Sequence, residues 1–178
     1  GVQGGLVVLA ADDPSMHSSQ NEQDSRFYGK FALLPVFEPS NQQEAYDMMS
    51  DAFDMSEQMK VPVMLRIVTR LAHSRAAVET REPRNENTLN ISTDQWVLLP
   101  GIARRRYAAL IDKQKGMCEA AGRSIYNKVE KGTGRLGIIA CGIGYNYVKE
   151  CGDTGADVMK VSQYPLPEEM VRRLAAEN

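Results

Sequence analysis

Short apolar runs alternate with amphipathic stretches in the first part of the chain, and this alternation restricts the fold more than any other feature. Residues 4–11, 33–37 and 62–71 have the length and composition of buried strands. Residues 27–32 and 42–60 lie between these runs and place apolar side chains at helical spacing. Strands that alternate with helices form parallel sheets through right-handed crossovers. We therefore predict an α/β fold with 4–11 inside the sheet, apolar on both faces.

Two sequences of capping-box type mark where helices begin. Ser19 is followed three residues later by Glu22, and Ser40 by Gln43. They predict one helix that starts near Gln20 and a second that starts after Ser40. The second helix carries an apolar stripe that we interpret as packing surface rather than a cofactor site. The stripe consists of Ala45, Met48, Met49, Ala52, Met55, Ser56 and Met59.

The middle of the chain changes character and separates two α/β units. Residues 76–100 are polar and proline-containing, which predicts a linker. Residues 102–131 predict a long helix that two glycines could interrupt. A second alternation follows, with strands at 136–141 and 157–161, and with Gly152 at the end of the helix between them. Two strands are too few for an independent sheet, so we expect this second unit to be incomplete.

Composition and charge exclude several classes of function. The net charge of -2 argues against nucleic-acid or membrane-surface partners, and the apolar runs are too short to span a bilayer. Cys118, Cys141 and Cys151 form no Cys-x-x-Cys pair, so we predict neither an iron–sulfur cluster nor any other metal site. Free thiols of this kind are typical of cytoplasmic proteins.

Polar side chains cluster where the predicted strands end. Ligands of open parallel sheets bind outside the carboxyl ends of the strands. The segments after the first and third predicted strands both leave that edge, and we predict that they form one rim. The rim would contain Asp12, Asp13, His17, Ser18, Ser19, Gln20, Arg70 and His73. His17 is a candidate general acid because its charge can change near neutral pH, although Asp-Asp-Pro is also ordinary turn chemistry.

Two further patterns have simpler explanations than a binding site. Gly142 and Gly144 begin a dinucleotide-binding pattern, but the third glycine is replaced by Tyr147, so a close strand-to-helix turn is favoured. Arg66 and Arg70 would share one face of the third predicted strand, which favours a charge network.

Four segments, in order, resemble the alpha subunit of the indolepyruvate ferredoxin oxidoreductases, within the 2-oxoacid:ferredoxin oxidoreductase family. The first and longest is ADDPSMHSSQNEQDSR at 11–26. The second is 35–40 followed by Gln-Glu-Ala at 43–45, the third is 62–75 with its Thr-Arg-x-x-His-Ser-Arg ending, and the fourth is Tyr-Pro-Leu-Pro-Glu-Glu at 164–169. The resemblance covers essentially the whole chain.

The resemblance implies a fold, a reaction and partners. Enzymes of this family decarboxylate arylpyruvates on thiamine diphosphate, pass electrons through iron–sulfur clusters to ferredoxin and transfer the acyl group to coenzyme A. A smaller beta subunit completes them. By this resemblance, 1–75 is the later half of a pyrimidine-binding domain and 76–134 a connector with a long helix. Residues 135–178 are then the opening part of a transketolase-C-terminal-like α/β domain.

The same resemblance implies which parts of the site this chain contributes. The family's activating glutamate would precede Gly1, and its Gly-Asp-Gly motif for magnesium and diphosphate would follow Asn178. We therefore expect an internal fragment that is inactive alone and binds no thiamine diphosphate or magnesium. The loop 12–24 is expected at the thiamine and substrate rim, with Asp12 and Asp13 shaping the pocket. Its cofactor or substrate contacts would be Ser18, Ser19, Gln20, Asn21, Gln23 and Asp24, beside Arg70 and His73. The alternative is a non-catalytic subunit-interaction module with the same sheet.

Overall fold

A four-stranded sheet in the first part of the chain carries the predicted α/β alternation. The computed structural model describes residues 2–83, 97–133 and 135–178. The strands are β1 (Val7–Asp12), β2 (Val36–Phe37), β3 (Val63–Val68) and β7 (Gln163–Tyr164), in the order β1-β3-β2-β7. β3 runs parallel to β1 and to β2, whereas β7 is antiparallel to β2. The predicted α/β class is confirmed, with an added strand from the far end of the sequence.

β1 does not lie inside the sheet as predicted. No described strand pairs with the outer side of β1, which makes it an edge strand, and Val8 and Leu9 on its two faces are 41% and 57% exposed. The third strand is also shorter than predicted. It ends at Val68, and a single helical turn, α3 (Thr69–Ala72), follows it.

Helix α2 (Gln42–Met59) packs on one face of this sheet and forms the main core. Its N-cap is Asn41, one residue later than predicted, because the Asn41 side chain accepts a hydrogen bond from the Glu44 N–H at 2.8 Å. The Glu44 carboxylate in turn accepts from the N–H and hydroxyl of Ser40, both at 2.8 Å. The core cluster consists of Phe37, Met48, Ala52, Val63, Leu65 and Tyr126.

Helix α1 (Arg26–Ala32) begins six residues later than its predicted start near Gln20. Ser19 caps no helix, because its hydroxyl donates instead to the Asn21 carbonyl at 2.7 Å. The predicted apolar face of this helix is largely uncovered, with Phe31 90% exposed. The local pattern therefore identified the helix but neither its start nor its burial.

Helix α4 (Pro100–Gly122) is continuous, and Gly116 does not interrupt it. It ends at Gly122 rather than near Lys131, because the chain turns and forms strand β4 (Lys128–Glu130). Residues 76–83 form no helix or strand, as a linker predicts, and the remainder of that predicted linker up to 96 lies outside the described residues.

A second sheet contains three strands rather than the predicted two, because β4 joins it. β5 (Gly137–Cys141) is parallel to β6 (Asp157–Val161), and β4 is antiparallel to β6. Helix α5 (Gly144–Glu150) follows β5, and helix α6 (Glu168–Glu177) ends the chain. Gly152 has a φ of +77°, as a helix-terminating glycine requires. Within the described part, no helix is long and apolar enough to cross a lipid bilayer.

Candidate functional site

The loop after β1 and the turn after β3 lie side by side at the carboxyl edge of the first sheet. Asp12 pairs with Val68 in the parallel register, so both segments leave the sheet at the same level. The Thr69 hydroxyl donates to the Asp13 carboxylate at 2.7 Å and lies 3.1 Å from the Asp12 carbonyl oxygen. This is the edge at which parallel sheets bind their ligands.

Asp13 organises the first half of this loop. Its buried carboxylate accepts hydrogen bonds from the backbone N–H groups of His17 at 3.0 Å, and of Ser18 and Ser19 at 2.6 Å. The Ser18 amide and the other donors stabilise the ionised form, which holds the pKa of Asp13 well below its usual range. The loop therefore winds around a permanent anion, and two of its other residues, Ser15 and Met16, adopt left-handed conformations with φ of 66° and 56°.

Asp12 closes the second half of the same loop. Its carboxylate accepts from the Ser25 N–H at 2.7 Å and from the Ser25 hydroxyl at 2.5 Å, and it also pairs with Arg66. Burial opposes ionisation of Asp12, but the hydrogen bonds from Ser25 and Arg66 outweigh it and lower the pKa. Neither aspartate at this edge presents a free carboxylate to a ligand.

Arg66 is buried at the centre of an ionic network. Its guanidinium donates to Asp12 on one side and to Glu38 on the other, and it lies 3.7 Å from Asp24. Glu38 also accepts from the Tyr164 hydroxyl at 2.9 Å. Buried charges are tolerated when each is paired in this way. The predicted Arg66–Arg70 network on one strand is wrong, because Arg70 lies beyond the end of β3.

Asp24 links this network to the beginning of α1. Arg26 donates to Asp24 through Nε at 2.8 Å and Nη2 at 2.6 Å. The Arg26 hydrogen bonds are the main reason that the pKa of Asp24 falls to about 2. Asp24 is therefore also an anion that is paired within the protein.

The remaining predicted site residues face solvent to different degrees. Ser19 and Gln23 are half-buried, whereas the other members are exposed. The exposed members are His17, Ser18, Gln20, Asn21, Arg70 and His73. The Arg70 guanidinium lies 5.4 Å from the centre of the Tyr147 ring on α5, so α3 contacts the second α/β unit here.

Sequence reasoning missed four members of the site: Ser25, Glu38, Thr69 and Tyr164. Glu38 directly follows β2, so the rule that parallel strands present functional groups at their carboxyl ends would have found it. Tyr164 begins the fourth segment of the family resemblance, but no local pattern placed it at this edge, because its position depends on β7 joining the first sheet.

Gly142 marks the contact between the two sheets. Its φ is +48°, and a Cβ atom at this position would lie 2.5 Å from Glu38 Cγ. A side chain would therefore strain the backbone and collide with Glu38. The predicted close turn after β5 is present. Its glycine leaves room for the Glu38 side chain, which occupies the space beside the turn.

The described residues contain no group of three or more His, Cys, Asp or Glu side chains arranged to hold a metal ion. Two of the aspartates at the carboxyl edge are buried among their own hydrogen-bond partners. These residues therefore do not fit the magnesium end of a diphosphate cofactor.

Comparisons with known proteins give one consistent result, although no family model matches the chain. The chain is 42% identical to indolepyruvate oxidoreductase subunit IorA of Archaeoglobus fulgidus, over 99% of this chain and 30% of that protein. It is 43% identical to the same subunit of Methanothermobacter marburgensis, over 96% of this chain and 29% of that protein. The Thermococcus kodakarensis subunit is 38% identical over 94% of this chain.

A solved structure has the same fold at low sequence identity. It is a 2-oxoglutarate:ferredoxin oxidoreductase from Magnetococcus marinus with 2-oxoglutarate, coenzyme A and succinyl-CoA bound. The TM-score is 0.64 at 13% identity, over 97% of this chain and 40% of that one. The chain spans about 30% of the length of the curated relatives it matches. The resemblance found in the sequence is confirmed: this chain is homologous, over nearly all of its length, to part of the indolepyruvate oxidoreductase subunit IorA proteins.

Proposed function

We propose that this chain is part of the alpha subunit of an indolepyruvate:ferredoxin oxidoreductase. The reaction is the oxidative decarboxylation of arylpyruvates to arylacetyl-CoA, with electrons passed to ferredoxin. The observation that supports it most strongly is an identity of 38–43% to IorA subunits over at least 94% of the chain. A chance match would not extend through both α/β units and the segment between them.

The proposal includes the cofactors and partners of the whole enzyme. Thiamine diphosphate with magnesium, and iron–sulfur clusters, would carry the decarboxylation and the electron transfer. A beta subunit would complete the enzyme in the cytoplasm. The magnesium, and the diphosphate that it binds, would be held by other parts of the protein, since the described residues contain no group arranged to hold the metal.

We assign the sequence to three parts of this subunit. Residues 1–75 are the later half of the pyrimidine-binding domain, 76–134 the connector, and 135–178 the opening of the transketolase-C-terminal-like domain. The parallel pairing of β1, β3 and β2 supports the first assignment, and the parallel pairing of β5 and β6, both within 135–178, supports the third.

Within this subunit we assign the loop 13–25 to the substrate rim. The loop leaves the carboxyl edge of the sheet. Hydrogen bonds to Asp13 fix its first half and hydrogen bonds to Asp12 fix its second half. An arylpyruvate needs an apolar slot with few polar anchors. Exposed His17 and Ser18 supply polar groups, and Met16, next to them in the part of the loop that Asp13 holds, supplies exposed apolar surface. His17 is the candidate general acid.

The test is turnover of the oxidoreductase that contains this chain, purified with its partner subunit. Reduction of ferredoxin or a viologen dye should require indolepyruvate and coenzyme A together, and should be lost when thiamine diphosphate is removed. Phenylpyruvate should replace indolepyruvate, whereas 2-oxoglutarate should not. The assignment would be overturned if only 2-oxoglutarate supported reduction, or if none of the three acids did.

The rim assignment has its own measurement in the same assay. His17→Ala should lower turnover, because the loop is held at the carboxyl edge with His17 exposed. Glu150→Gln, at the exposed end of α5, is the matched control and should leave turnover unchanged. Full turnover in His17→Ala removes His17 from the site, and equal losses in both variants point to a general structural effect.

A further inference from the structure

We propose that the polar row, defined as Asp12, Arg66, Glu38 and Tyr164, positions the loop 13–25 for the substrate, so that the second α/β unit controls the rim through Glu38. This inference rests on the proposed function for the meaning of the rim. The four residues are positioning residues and not catalytic ones, because they act through the loop and are themselves buried or half-buried.

The polar row crosses the whole of the first sheet in strand order. Asp12 ends β1, Arg66 lies in β3, Glu38 directly follows β2, and Tyr164 ends β7. Asp12, Arg66 and Glu38 are only 3–4% exposed. Each member contacts the next through a side-chain hydrogen bond, so the row is a continuous chain of contacts from β1 to β7.

One end of the row holds the loop. Asp12 binds both the N–H and the hydroxyl of Ser25, while Arg66 Nη2 lies 3.7 Å from Asp24. Asp13, the neighbour of Asp12, binds the other half of the loop through the Ser18 and Ser19 amides. A shift of Arg66 therefore acts on the second half of the loop, at Ser25 through Asp12 and at Asp24 directly.

The other end of the row belongs to the second unit. The Tyr164 hydroxyl donates to Glu38, and the Glu38 N–H donates to the Ser162 carbonyl at 2.7 Å. The Gly142 turn packs directly against the Glu38 side chain. A tyrosine hydroxyl keeps its proton at physiological pH, and burial raises the pKa of Tyr164 further, so it stays a donor.

Stability alone is a weak explanation for this arrangement. Replacing buried ion pairs by apolar side chains is often neutral or stabilising, because desolvation offsets much of the attraction between the charges. What the pairs do supply is a defined geometry. A guanidinium has donors in a fixed fork, and here the fork joins carboxylates at the carboxyl ends of two different strands.

The test is Tyr164→Phe in the oxidoreductase that contains this chain. The change removes one hydroxyl and keeps the ring. We expect the KM for indolepyruvate to rise roughly tenfold with a much smaller change in kcat, because one hydrogen bond to a charged acceptor is lost and the loop is held less firmly. Hydrogen exchange of the substrate-free enzyme should increase in peptides covering 13–25.

Tyr145→Phe is the matched control. The Tyr145 hydroxyl also donates to a carboxylate, that of Glu130 at 2.5 Å, but this pair lies outside the polar row. Tyr145→Phe should leave both the KM for indolepyruvate and the hydrogen exchange of 13–25 unchanged. Equal effects of the two variants, or unaltered exchange of 13–25 in Tyr164→Phe, would overturn the inference.

The two proposals fail in distinguishable ways. A wild-type enzyme without arylpyruvate turnover would contradict the proposed function, and faster exchange of 13–25 in Tyr164→Phe would still support control of the loop by the row. Normal wild-type turnover combined with unaltered loop exchange in Tyr164→Phe would contradict the positioning role alone.

Discussion

Two consecutive carboxylates hold the two halves of one loop. The side chains of successive strand residues point to opposite faces. The Asp12 side chain can therefore point towards the polar row while the Asp13 side chain points towards the loop. Asp12 binds Ser25, and Asp13 binds the amides of 17–19. The two carboxylates therefore fix the backbone of the loop. That backbone in turn determines where the exposed side chains of the loop lie.

Asp13→Asn should loosen the loop. The asparagine amide keeps the shape of the side chain but has no charge. In the wild type, the negative charge of Asp13 strengthens the hydrogen bonds from the Ser18 and Ser19 amides. We expect the protection of residues 17–19 against hydrogen exchange to fall roughly tenfold. Asp112→Asn, at an exposed position on α4, should leave this protection unchanged, and an equal fall in both variants would contradict the role of Asp13.

The effect of Asp13 has a defined pH dependence. The pKa of Asp13 is lower in the folded protein than its ordinary value of 3.8, so the carboxylate stabilises the loop fully above that value. The stabilisation is lost as the pH falls from 3.8 through the folded-state pKa. After correction for intrinsic exchange rates, the difference between wild type and Asp13→Asn should stay constant from pH 8 to about 5. A difference that already narrows between pH 7 and 5 would show that another group is responsible.

Helices α1 and α2 show two different origins of helical structure. α2 has a capping residue, an apolar stripe and a sheet to pack against, so its sequence pattern and its environment agree. α1 has no side-chain cap and exposes Phe27, Tyr28 and Phe31. Its start at Arg26 follows from contacts of Ser25 and Asp24 with Asp12 and Arg26.

The cap of α2 gives a prediction at the same scale. Asn41→Ala removes the acceptor for the Glu44 N–H and should lower the free energy of unfolding by about 1 kcal/mol. Asn41→Asp keeps the acceptor and should stay close to wild type. Urea unfolding followed by circular dichroism measures both. A similar loss in the two variants would mean that the acceptor at this position contributes little.

Sequence patterns predicted the elements better than their contacts, and the reason is physical. The α2 stripe arises from burial periodicity and the strands 137–141 and 157–161 from short apolar stretches, all within single segments, so they were predictable. Arg66 and Asp12 are 54 residues apart, and Tyr164 and Glu38 are 126 apart. Such pairings depend on the arrangement of the strands, which no local pattern encodes. The loop 12–24 was predicted at a sheet edge and does follow β1 there, while the hydrogen-bond partners of Asp12 and Asp13 were not foreseen.

The two sheets form one connected structure through a small set of contacts at their edges. β7 leaves the second unit and pairs with β2, and Asn127 ties β7 to the end of α4 through the Gln163 and Ala121 carbonyls. Asn146 on α5 donates to the Ser40 carbonyl at 2.7 Å. Glu38 lies between these contacts and meets both Tyr164 and Gly142. The carboxyl edges of the two sheets therefore face each other across Glu38.

Two glycines near this junction allow a direct comparison of how substitution affects the contact between the two sheets. Gly142 has a φ of +48° and no room for a Cβ atom beside Glu38, whereas a Cβ atom on Gly144 would have no neighbour within 4 Å. Gly142→Ala combines left-handed strain of about 1–2 kcal/mol with displacement of Glu38, so it should lower the free energy of unfolding by at least about that amount. Gly144→Ala, in the first turn of α5, should be neutral or slightly stabilising, because alanine favours helix.

Displacement of Glu38 gives these variants a second, independent signature. Because Glu38 connects the second unit to the polar row, Gly142→Ala should also increase hydrogen exchange in 13–25, far from position 142 in the sequence. Gly144→Ala should leave that loop unchanged. Urea unfolding and exchange measured on the same two variants separate the possibilities. If Gly142→Ala destabilised the chain without altering exchange in 13–25, the junction would hold the two sheets together but would not control the rim, since strain would then be absorbed before it reached Arg66.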